Sequence, residues 1–180
     1  MALSNNTLGQ MYALTVLTPV AADQLPRLQR VLAGLPAPSP FGRLTATHFA
    51  RFVIVPNRSE DGAPAVESLP SPYLLFSATF DGSAAGPYLD DLCRELADEA
   101  EEIWSCCEGA PVPARGAALS AYLEHNQIPT GLFFAAYPEA DVATVKAWLD
   151  TRERMIALAI KGQKLSAADL RAAFLEEFPG

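Results

Sequence analysis

Hydrophobic and polar positions along the chain switch between two periods, one near 2 and one near 3.6. Tyr12 to Leu17 is rich in aliphatic and β-branched residues and predicts a first strand. Leu25, Leu28, Leu32 and Leu35 then recur at helical spacing behind Asp23, a suitable N-cap, and Gly34 and Pro36 end that helix. Alternation returns over Leu44 to Val55, stopped by Pro56-Asn57, and again over Tyr73 to Phe80, stopped by the turn dipeptide Asp81-Gly82. The polar stretch from Arg58 to Pro72 reads as a long connection between these two strands.

A second helix follows, with Pro87 in its first turn, Asp90 and Asp91 near its positive end, and Leu89, Leu92, Leu96 and Ile103 on one face. The Pro-rich loop Gly109 to Gly116 leads to a short helix over Ala117 to His125, with Leu119, Tyr122 and Leu123 inward. Thr130 to Tyr137, aromatic and closed by Pro138, predicts a fourth strand. Asp141 heads a helix whose stripe of Val142, Val145, Leu149, Ile156 and Ile160 predicts a buried side, ended by Gly162. Ser166 and Asp169 form a capping-box pattern, and Leu170, Phe174 and Phe178 give the last helix its inward side.

The order β-α-β-β-α-(α)-β-α-α predicts an α+β fold of the ferredoxin-like βαββαβ type. In that fold a four-stranded antiparallel sheet carries its helices mainly on one face, here with extra C-terminal helices. Residues 1–10 are expected to be a flexible N-terminus, 11–138 the core, and 139–180 a helical extension of the same domain. The element order over roughly residues 11–137, with Thr47-His-Phe-Ala-Arg-Phe-Val-Ile-Val55 and Leu74-Leu-Phe-Ser-Ala-Thr-Phe-Asp-Gly82, resembles the ferredoxin-like dimeric α+β-barrel superfamily. The resemblance implies a homodimer. It implies no single activity, because such superfamilies include oxygenases, isomerases, haem enzymes and pure binding modules.

Composition narrows the partners. Half of the residues are hydrophobic, enough for a substantial core, and the formal charge of −8 repels phosphate backbones and anionic lipid alike. Neither nucleic acid nor a membrane is an expected partner. Met11 to Val20 is apolar, but no Lys or Arg precedes Arg27, so it reads as a strand rather than a targeting signal. Three cysteines make an odd set, and the adjacent Cys106 and Cys107 cannot bridge one another without strain, which fits a reducing, cytoplasmic setting.

Alternation sorts the sheet into two faces. Leu74, Phe76, Ala78 and Phe80 suit packing beneath helices, whereas Thr15, Thr47, Phe49, Arg51, Tyr73, Ser77 and Thr79 fall to the opposite, open face. That face is too apolar to leave in water, so a second subunit, the C-terminal helices or a ligand should cover it. Arg51, Tyr73, Ser77, Thr79 and Thr15 are the candidate ligand-binding residues. Arg51 must either join a structural ion pair, with Asp81 or a helix carboxylate, or anchor an anion.

The candidates for proton transfer are His48 and Asp81. With only His48 and His125 in the chain, no His-rich metal centre is expected. No cofactor is expected either; a haem would take one of the two histidines as axial ligand, and no Cys-x-x-Cys-His attachment motif is present. Glu101, Glu102 and Glu108 around Cys106 and Cys107 oppose thiolate formation, so these thiols read as structural. The acidic run Asp98 to Glu102 reads as a solvated helix face, and Phe133, Phe134 and Tyr137 as core or interface. Three readings stay open, in this order: a module binding a small hydrophobic or acidic molecule over the open face, a non-catalytic interaction protein, and an α+β-barrel enzyme.

Overall fold

The computed structural model describes residues 5–57 and 69–178, so most of the long connection between the second and third predicted strands lies outside the described residues. The chain divides into two compact units, Met1–Asp141 and Val142–Gly180. The first unit is α+β. Its elements run β1 (Thr7–Leu8), β2 (Met11–Pro19), α1 (Leu25–Ala33), a 3-10 turn (Pro40–Arg43), β3 (Thr47–Val55), β4 (Tyr73–Asp81), α2 (Ala85–Glu95), α3 (Ala97–Trp104) and α4 (Gly116–His125). The strands form one antiparallel sheet in the order β1-β2-β4-β3.

The alternation of β2 and β4 becomes a burial pattern. Leu14, Val16, Leu74, Phe76, Ala78 and Phe80 are buried, and they share one cluster with Leu28 of α1, Leu89 and Leu92 of α2, Ile103 and Trp104 of α3, and Leu119 and Leu123 of α4. The helices of this unit therefore bury one face of the sheet. At its centre Phe52, Phe76 and Trp104 meet with ring centroids 5.0–5.7 Å apart. Such edge-on and tilted pairs add roughly 0.5–1.5 kcal/mol each beyond the area they bury. The helix expected from Pro87 to Ile103 is broken at Leu96, whose φ of −116° and ψ of 34° leave the helical region. That break separates α2 from α3 while Leu96 stays buried.

The fourth strand is not where the pattern placed it. Among the described residues, 130–137 forms no ladder. Pro129 and Pro138 lack N–H donors, and Gly131 brings no side chain to pack. The segment instead runs beside the N-terminus through single bonds: Asn5 N–H to Thr130 O at 3.2 Å and Gln10 N–H to Pro138 O at 2.9 Å. Leu132, Phe134 and Tyr137 are exposed rather than buried. The sheet's fourth strand is Thr7–Leu8, inside the stretch expected to be frayed, turned back onto β2 by Gly9 at φ +58°. The other half of β2's outer edge is met by a single antiparallel bridge between Val16 and Gln127.

The second unit holds α5 (Val142–Gly162) and α6 (Ala167–Glu177). Ser166 caps α6 as its pattern predicts, accepting from the Asp169 N–H at 3.2 Å. Of the expected buried stripes, Val142 at the start of α5 is buried, but most of the rest is not. Leu149, Ile156 and Ile160 are 54%, 43% and 63% exposed, Leu170 and Phe174 are also exposed, and Leu158 is the buried residue of α5's second half. Arg154 explains part of this: it pairs with Glu177 and lies 4.8 Å over the Phe178 ring, so that side of α5 is the one turned to α6. Among the described residues no helix is long and apolar enough to cross a membrane.

Candidate functional site

The face of the sheet opposite the helices of the first unit is half open. Strand register aligns Thr15, Ser77 and Arg51 in one row across β2, β4 and β3, and Ala13, Thr79 and Phe49 in the next. Thr15, Arg51, Ser77 and Thr79, all candidates from the alternation, are thus brought together. Tyr73 is not: it pairs with Pro19 and Val55 at the far end of β4, about 13 Å along the strand from Ser77. A depression of about 430 Å³ lies over β3 and β4, lined by Phe49, Ala50, Arg51, Ser77, Ala78 and Thr79. Phe49, 77% exposed, forms its apolar wall. Alternation puts Phe49 on this face, but its side chain carries no polar group and it is not among the expected ligand-binding residues.

Arg51 is exposed in mid-strand, and among the described residues it has no hydrogen bond or ion pair. The other arginines described in this unit are engaged: Arg27 with Ser105, Arg30 with Pro26 O, Arg43 with Glu99, Arg94 with Asp91 and Arg115 with Asp98. The ion pair with Asp81 that was one alternative for Arg51 does not form: Arg51 sits opposite Ser77, four residues and about 13 Å along β4 from Asp81, and Asp81 instead accepts from His48 Nε2 at 2.7 Å. Residues 1–141 carry 16 acidic and seven basic side chains, so an unengaged guanidinium on this sheet is out of keeping with its surroundings.

His48 reaches Asp81 because β3 carries a bulge. Thr47 pairs with Phe80 and Phe49 with Thr79, so two steps along β3 match one along β4 and His48 is the extra residue. One face assignment is thereby corrected. Thr47, expected on the open face, turns to the helix side and bonds the Tyr88 hydroxyl at 3.0 Å. His48 takes the side of Asp81, which follows Thr79 by two positions on β4. Burial of Tyr88 beneath Phe80, with stacked rings 3.8 Å apart, pushes its hydroxyl pKa up to about 12, against a smaller lowering by the Thr47 bond.

The remaining candidates stand apart from this face. His125 ends α4 and is exposed. Cys93, Cys106 and Cys107 are free and buried. Burial raises all three thiols, Cys93 and Cys107 to about 11; Asp90 adds to the rise at Cys93, and Thr18 and Arg27 oppose it at Cys107 and Cys106. Burial, more than the neighbouring glutamates, keeps these thiols protonated. The acidic run is tied down by arginines, Asp98 and Glu101 to Arg115 and Glu99 to Arg43. Among the described residues no group of three or more His, Cys, Asp or Glu side chains is placed to hold a metal ion.

No family model, curated protein or solved structure matches this chain. The face offers one permanent cation, three hydroxyls and an aromatic wall. That set can hold a carboxylate or similar anion by charge-assisted hydrogen bonds while an apolar body lies against Phe49.

Proposed function

We propose that this chain binds a small amphipathic anion, such as an aromatic carboxylic acid, on the open face of its sheet. Arg51 takes the anionic group, Ser77, Thr79 and Thr15 supply hydrogen bonds, and Phe49 covers the apolar part. The observation that carries this reading is an exposed Arg51 with no partner among the described residues, beside a depression of about 430 Å³. The scaffold we infer is ferredoxin-like, with its last strand reduced to the Val16–Gln127 bridge and its place taken by Thr7–Leu8. The β2-α1-β3-β4-α2 order and the β2-β4-β3 adjacency support that reading, and with it the likeness to dimeric α+β barrels.

Titration with benzoate, phenylacetate and indole-3-acetate, followed through the backbone amide resonances of Ser77 and Thr79, tests the site. The acids should shift these resonances and the matching amides should not. Arg51→Gln should weaken binding by roughly tenfold or more, the scale of a charge-assisted pair. Binding untouched by Arg51→Gln, or no shift with any of the acids, would overturn the reading.

The His48–Asp81 pair favours a second reading, in which the same face also moves a proton. A carboxylate that receives Nε2–H orients the imidazole and leaves Nδ1 as the group that takes or gives the proton.

A further inference from the structure

We propose that α5 pairs in parallel with α5 of a second copy of this chain. At 3.6 residues per turn, Val145, Leu149, Ile156 and Ile160 fall within an arc of about 60°, and Arg152 and Glu153 lie about 50° to either side of its midline. The stripe points away from α6, since Arg154, which pairs with Glu177, is about 150° round the helix from it. Leu149, Ile156 and Ile160 are exposed, as are Arg152 and Glu153. Arg154 is paired with both Asp150 and Glu177, yet among the described residues neither Arg152 nor Glu153 has an ion-pair partner.

Charge selects the occupant and its direction. With a two-fold axis along the helices, each apolar residue of the stripe meets its own copy. Because Arg152 and Glu153 flank the midline on opposite sides, each Arg152 then meets the second copy's Glu153, twice by symmetry. An antiparallel pairing about the same point sets Arg152 against Arg152 and Glu153 against Glu153, which repels. The seam from Val145 to Ile160 is about 23 Å long. Closing it buries on the order of 1,000 Å² over both copies, near the lower bound for a specific interface, so the pairing is reversible with a dissociation constant in the micromolar range. It uses a helix outside the first unit and leaves the ligand-binding proposal for the sheet face independent of it.

The full chain at about 100 µM, well above such a dissociation constant, is examined by light scattering after gel filtration. Twice the chain mass of 19.3 kDa is expected, falling toward the single mass on dilution. Ile160→Cys should form a covalent dimer under mild oxidation, with little background from the three buried native thiols. Glu153→Arg should weaken association by about tenfold or more, and adding Arg152→Glu should restore it to within about threefold. Arg and Glu have similar helix propensities and both positions are exposed, so the fold is not at stake. A single-chain mass throughout, a dimer that Ile160→Cys does not cross-link, or a double variant no better than Glu153→Arg would each overturn the proposal.

Discussion

His48 Nε2 donates to Asp81 Oδ1 at 2.7 Å, and the two side chains are only 9% and 23% exposed. The bond ties the bulged residue of β3 to the last residue of β4 and so helps to hold the irregularity in place, alongside the bond of Thr47 to the Tyr88 hydroxyl. Replacing His48 with Ala should cost about 1–2 kcal/mol, the usual range for a mostly buried hydrogen bond. His48→Gln keeps an N–H donor and should recover part of that loss. Urea midpoints of the three proteins measure the difference, and an unchanged midpoint for His48→Ala would refute it.

Stability should decline in alkali. Burial raises Tyr88 from 10.0 to about 12 and Cys93 and Cys107 from 9.0 to about 11 in the folded chain. Below the ordinary values, folded and unfolded chains both hold these protons, and the contribution is fully present. As pH rises further the unfolded chain ionises first, so stability is lost progressively until the folded groups ionise too. The urea midpoint should therefore fall from about pH 9 upward, and less steeply in Tyr88→Phe. A midpoint flat across that range would contradict the burial of these groups.

Gly9 should resist substitution. Its φ of +58° lies in the left-handed region, and a Cβ there would collide with the Pro138 carbonyl. The same turn is fastened by Gln10, whose backbone N–H bonds Pro138 O and whose Nε2–H bonds Glu139 O at 3.0 Å. Gly9→Ala should destabilise the protein by about 2–3 kcal/mol, combining backbone strain with displacement of that segment. Hydrogen exchange at the Gln10 and Ala13 amides should speed up selectively. Wild-type exchange at both would show that the hairpin tolerates the change.

Much of the first unit was legible in the chain, and the failures have separate physical causes. β4 runs unbroken, so its period of two places Ser77 and Thr79 on one side and Phe76 and Ala78 on the other, and the row with Arg51 and Thr15 follows. A bulge adds a residue without disturbing local composition, so nothing in Thr47-His48-Phe49 announces that the first two exchange sides. β1 has two residues, too few for any period, while the aromatic stretch to Tyr137 has the composition of a strand and lacks the donors to join one. On α5 the helical stripe was visible, but periodicity gives a face, not what lies against it. The pairing of His48 with Asp81 spans 33 positions and depends on the bulge, so it was beyond reach.

The bulge has a bearing on solubility. Among the described residues β3 is the outermost strand on its side of the sheet, and its nine residues include no Lys, Pro or Gly, with Arg51 the lone permanent charge. An unbroken margin of that composition is a template on which strands of other molecules stack into fibrils. The extra residue bends the margin, and the guanidinium beside it acts as a gatekeeper. Deleting His48 would straighten the ladder and leave one charge to guard against aggregation.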